Sequence, residues 1–171
     1  FNIEENIIVV TIHTAVSSII IEILQELGIK SSLIMYVAPN SPINSSVGLL
    51  GYNSKIDVIP RSQDVFLIAR RKLKEGRVIC CCADDDVSMD NQLSVGTGIF
   101  DFAKIVGAKI ICFMPQISDE GEVFIYFAAI NNTMEKLYSI DLAQDFVSFI
   151  NATSEKKKTF EISSWRREKK L

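Results

Sequence analysis

Residues 7–12, IIVVTI, form an unbroken apolar and β-branched run, the pattern of a strand covered on both faces. The period then changes. In TAVSSIIIEILQELG, Ala15, Val16, Ile19, Ile20, Ile23, Leu24 and Leu27 recur at three-to-four spacing, Glu22, Gln25 and Glu26 take the other side, and Gly28 stops the run. This predicts an amphipathic helix. A second strand is expected at 33–38 (LIMYVA), followed by the turn-rich PNSPINSS, a short segment around 47–52 and the small strand IDVI before Pro60. The helix QDVFLIARRKLKEG follows, with Ser62 placed to cap it, Asp64 in its first turn and Arg70, Arg71, Lys72 and Lys74 near its end, the sense that complements the helix dipole.

After the Gly76 stop, the strand RVICCCA at 77–83 runs into the acidic loop DDDVSMD. Helical spacing returns at 97–106 through Ile99, Phe100, Ala103 and Val106, and Gly107 ends it. Strands are expected at 108–115 and 122–130, separated by the turn signal SDEG, and a last helix with an acidic first turn at 141–152. The sequence of elements, strands alternating with helices and then two successive strands and a helix, predicts an α/β fold: a mixed, mostly parallel central sheet flanked by helices on both faces. One domain spans 1–153. The remainder, 154–171, is a charged tail that either docks by Phe160, Ile162 and Trp165 or frays.

Composition narrows the function. The chain has 171 residues, 48% of them apolar, and a formal net charge of -3, so nothing draws it to polyanions, and no basic groove interleaved with aromatics supports nucleic-acid binding. His13 is the single histidine, which excludes multi-histidine zinc sites and histidine relays. Cys80, Cys81, Cys82 and Cys112 lie in apolar strands, a setting that predicts buried thiols and neither a disulfide scaffold nor a metal cluster. The mean hydropathy of +0.23 fits a buried isoleucine-rich sheet or a peripheral membrane face equally well. The chain opens at Phe1 and reaches a strand within six residues, so we expect upstream residues, an N-terminal anchor among the segments they could carry.

Ligands of open α/β sheets lie beyond the carboxyl ends of the strands. His13 after the first strand, Asn40 with Ser41 after the second, and Asp84, Asp85 and Asp86 after the cysteine strand are the polar groups expected there. A neutral His13 can take the proton of a hydroxyl or amine attacking an acyl carbonyl, provided that a carboxylate orients the ring. One helical turn on, where such an acid belongs, the chain has Ser17 and Ser18.

From about Ile8 to Lys170 the chain resembles the bacterial lipid A late acyltransferases, within the lysophospholipid acyltransferase-like fold. The matching segments are VTIHTAVSS, where the family has a histidine followed four residues later by an acid, YVAPNSPIN in the sugar-facing loop, RRKLKEGRVICCCADDD, TGIFDFAKIVGAKIICFMP and the terminal SSWRREKK. The resemblance implies transfer of a fatty acyl group from acyl carrier protein or coenzyme A to a lipid or glycolipid hydroxyl, with no cofactor, at the bacterial cytoplasm or the cytoplasmic face of the inner membrane. It implies His13 as general base, and Asp84 as the replacement for the acid that Ser18 displaces. Ser17, Ser18, Asn40, Arg61 and Arg166 are the expected substrate contacts. Two alternatives remain open: a catalytically reduced relative that binds an acyl ligand or a protein, and a Mg2+-dependent phosphoryl-transfer or hydrolysis domain built on the aspartate loop.

Overall fold

The computed structural model describes residues 5–14, 16–36, 56–84, 93–130 and 138–154. They form six strands, β1 (Ile7–Thr11), β2 (Ser31–Met35), β3 (Val58–Pro60), β4 (Val78–Cys82), β5 (Lys109–Ile117) and β6 (Val123–Ile130). Four helices join them, α1 (Ile19–Glu26), α2 (Val65–Lys74), α3 (Gly98–Val106) and α4 (Ser139–Ser154). The sheet order is β3-β2-β4-β1-β5-β6, with every pair parallel except β5 and β6. The expected mixed, mostly parallel α/β sheet is present.

Alternation along the central strands divides the core in two. Ile7 and Val9 of β1, with Val78 and Cys80 of β4, pack against Ile20, Ile21 and Leu24 of α1. Ile8 and Val10, with Ile79 and Cys81, face the opposite layer, which α2, α3 and α4 build from residues such as Leu73, Phe100 and Phe146. All five β1 residues are therefore buried, which is why that strand reads as a continuous apolar run.

The local differences from expectation have local causes. The segment before α1 makes turns, with the Ser17 amide and hydroxyl both donating to the Thr14 carbonyl, so the helix starts at Ile19 and not at the head of the amphipathic pattern. Its buried stripe is Ile20, Ile21 and Leu24, whereas Leu27 lies beyond the helix and is exposed. In α2 the N-cap is Asp64 and makes no side-chain cap bond, so Ser62 is not the cap; the basic last turn is as expected. β2 starts two residues early because Ser31 and Ser32 pair with Val78 and Ile79. Gly107, with φ of 62°, ends α3 in the left-handed region and delivers the chain into β5.

At the amino edge of the sheet a polar cluster ties the elements together. Asp57, just before β3, accepts from the Ser32 hydroxyl at 2.5 Å and pairs with Lys72 of α2 at 3.0 Å and with Arg77 Nε at 3.1 Å. Burial alone would raise the Asp57 carboxyl, but Ser32, Lys72 and Arg77 together hold it below the ordinary carboxylate range.

Among the described residues no helix is long and apolar enough to cross a membrane. The segment around 47–52 and the tail with Trp165 lie outside the described residues.

Candidate functional site

β1 and β4 are adjacent, yet their outgoing connections diverge. From β1 the chain crosses through α1 on one face to β2; from β4 it crosses through α3 on the other face to β5. The carboxyl ends of these two strands are therefore the switch point of the sheet, the position where open α/β folds bind ligands. His13 follows one of these strands and Asp84 the other.

The ladder brings the two together. Thr11 stands opposite Cys82 in the last rung, and the Ala83 amide donates to the Thr11 carbonyl at 2.9 Å. In a continued parallel ladder the His13 amide would next donate to the Ala83 carbonyl. That carbonyl instead accepts the Gly96 amide at 3.0 Å, and the His13 amide donates to Asp84 Oδ1 at 2.9 Å. The same oxygen lies 2.9 Å from His13 Nδ1. Backbone and ring of one residue are thus held by one carboxylate oxygen. The Asp84 side chain is 3% exposed and the His13 side chain 51%, so the acid forms the floor and about half of the His13 side chain is open to solvent. A bridge between Asp84 and Val95 holds the floor from the far side.

Ile12 and Ala83 continue the alternation into the layer of α2, α3 and α4, which leaves His13 and Asp84 on the α1 face together with Cys82. A ring nitrogen of His13, Cys82 Sγ and an Asp84 carboxylate oxygen all lie within 4.8 Å of one another. The hydrogen bond to Asp84 and then the one with Cys82 push the His13 imidazole up to about 10, against the opposing effect of burial. Both contacts favour the protonated form of the ring.

Nitrogen, sulfur and oxygen from three residues are also a zinc-type donor set. Tetrahedral Zn2+ with nitrogen and oxygen ligands would hold those atoms roughly 3.3 Å apart. Nδ1 and Oδ1 stand at 2.9 Å with a proton between them, the spacing of an ion pair. The geometry is that of a charged hydrogen bond more than of a metal centre.

The other expected contacts fare differently. Ser17 is engaged with the Thr14 carbonyl at 3.1 Å, a turn contact. Ser18 occupies the N-cap of α1 but makes no cap bond, and its hydroxyl, like that of Thr14, is buried without a hydrogen-bond partner. Arg61 follows β3 at the same carboxyl edge, separated from β4 by β2, and its amide donates to the Met35 carbonyl at 2.9 Å. Asn40 and Arg166 lie outside the described residues, as do Ser41, Asp85 and Asp86. Cys82 is the residue that the expectation of four buried thiols missed: Cys80, Cys81 and Cys112 are buried, whereas Cys82 is half-buried beside His13. The available signal was its spacing of two from Asp84, which puts both side chains on one face.

With this geometry in place, known proteins add nothing: no family model matches the chain, and no curated protein is significantly similar to it.

Proposed function

We propose that the chain is an acyltransferase, moving a fatty acyl group from a thioester of acyl carrier protein or coenzyme A to a hydroxyl or amine acceptor. His13 exchanges the proton, and Asp84 does the work of the acid that the family carries where this chain has Ser18. The observation that carries the reading is the 2.9 Å contact between His13 Nδ1 and Asp84 Oδ1 at the switch point of the sheet. A buried carboxylate on Nδ1 orients the ring and stabilises the imidazolium whenever the ring holds the acceptor proton. A lipid or glycolipid acceptor at a membrane surface is consistent with this chemistry. No cofactor is required, because the thioester supplies the activated acyl group.

The Mg2+ reading is weaker by the same contact, since Asp84 Oδ1 already accepts two hydrogen bonds from His13. The binding-domain reading draws on Ser18, whose unpartnered hydroxyl stands where the resemblance calls for an acid.

The test is thioester consumption by the full-length protein with a panel of acyl-CoA and acyl carrier protein donors and hydroxyl or amine acceptors, set beside the His13→Ala variant. Consumption lost in the variant supports transfer; no consumption by the wild type with any donor, while the donors bind, supports the binding domain; equal consumption in both proteins removes His13 from the mechanism.

A further inference from the structure

We propose that Cys82 is the nucleophile of this site, so that the acyl group passes through a thioester on the protein before it reaches the acceptor. The inference rests on the acyl-transfer reading and adds to it a covalent step. Its basis is the grouping of Cys82 Sγ, a His13 ring nitrogen and an Asp84 oxygen within 4.8 Å, at the mouth of the sheet's switch point.

Of the four cysteines, Cys82 alone is placed to react. Cys80 and Cys81 are buried in the two core layers, and Cys112 is buried in β5. Burial pushes the thiols of Cys80 and Cys81 far up and that of Cys112 up to about 12, which keeps them protonated and inert. Cys82 is the last residue of β4, half-buried, and shares a face with His13. An imidazolium that is also held by a carboxylate is the partner that a thiolate nucleophile needs. The buried hydroxyls of Thr14 and Ser18, which make no hydrogen bond, lie at the same edge of the sheet, ahead of α1.

The covalent route also suits the charge of His13. A ring whose protonated form is favoured by a carboxylate on Nδ1 is ready to give a proton to a leaving thiolate. In the first step the Cys82 thiolate attacks the donor carbonyl, the new S–C bond forms, the donor C–S bond breaks, and the departing thiolate takes the proton of His13. In the second step the acceptor hydroxyl attacks the Cys82 thioester and its proton passes to the now neutral His13. The C–O bond forms and the Cys82 C–S bond breaks, which restores thiolate and imidazolium. The sum is thioester plus alcohol to ester plus thiol, with no oxidant or reductant.

The experiment mixes the full-length protein with lauroyl-CoA without acceptor, quenches in acid and weighs the intact protein. One acyl adduct, labile to neutral hydroxylamine and missing from Cys82→Ala, is expected. The near-isosteric Cys82→Ser controls for folding, and any adduct it forms is an ester that survives the same treatment. A parallel arm alkylates the proteins with iodoacetamide at pH 7; Cys82 in the wild type should react at least tenfold faster than in His13→Gln. Thioester consumption that depends on His13 but is unchanged in Cys82→Ala overturns the covalent step and leaves acyl transfer standing. Absence of both consumption and adduct overturns the transfer reading and this step with it. Equal alkylation rates in wild type and His13→Gln overturn the pairing of Cys82 with His13.

Discussion

A single carboxylate oxygen that accepts from both the amide and the ring of His13 makes that residue's charge the most sensitive property of the site. Because His13 is the lone histidine, its ring resonances in a proton NMR spectrum need no assignment by mutation. They should titrate near 10 in the wild type and move down toward the ordinary 6.5 in Asp84→Asn, where the ring loses its counter-charge. A wild-type midpoint at 6.5 would remove the ion pair. The same shift sets the pH dependence of stability. The folded-state value lies above the unfolded one, so the pair's stabilisation is complete below about 6.5 and is lost as pH rises toward 10. Urea midpoints should therefore fall across that window in the wild type and stay flatter in His13→Gln, by less than the full shift implies because the ring is half in solvent. If transfer begins with proton removal by neutral His13, kcat/KM rises roughly tenfold per pH unit above pH 7 toward about 10. Activity that is instead near its maximum at pH 7 to 8 fits attack by a thiolate paired with the imidazolium.

At the scale of elements, what the sequence made legible was the type of each helix and strand, and what it left open was where several begin. The periodic run from Ala15 to Leu27 marks α1, but the turn in which Ser17 returns to the Thr14 carbonyl takes the first residues of the run out of the helix. Period two along β4 places Cys80 and Cys82 on one face and Cys81 on the other; it does not say that burial ends between Cys80 and Cys82, because that depends on what covers the strand end. The Asp57 cluster was invisible for another reason: its partners at Ser32, Lys72 and Arg77 come from two strands' edges and a helix that meet only in the fold. Removing Arg77 leaves Asp57 with Lys72 as its one remaining cation in this cluster and takes the guanidinium donor from the Ser32 hydroxyl and the Ser31 carbonyl, all in a setting two-thirds or more out of solvent. Arg77→Ala should therefore cost about 1–3 kcal/mol in urea unfolding at pH 7. Since the cluster holds the Asp57 carboxyl down, its stabilisation is present above the ordinary carboxylate range and disappears as pH falls through the folded-state value. Wild type and Arg77→Ala should converge in acid; a gap that persists there would assign the loss to packing of the arginine stem.

Across the whole molecule, the site exists because of one adjacency that no local pattern records. His13 and Asp84 are 71 positions apart and meet because β1 lies beside β4, with the register that puts Thr11 opposite Cys82. Elements alternating along the chain predicted a parallel sheet, but several strand orders satisfy that alternation, and only some make β1 and β4 neighbours at a switch point. The site is built beyond the ends of these strands, so it should tolerate losses within the core so long as the order survives. Ile79, paired with Ile8 and Ser32 and fully buried between β1 and β2, offers the test. Ile79→Ala should cost about 2–5 kcal/mol through lost burial and the cavity left behind, read as a lowered urea midpoint. In the fraction that remains folded, the His13 ring should still titrate near 10, because neither the rung that aligns it nor the Asp84 carboxylate involves the deleted atoms. A His13 titration that falls in folded Ile79→Ala would mean that the ion pair is held by the packing of the central strands and not by the ladder ends alone.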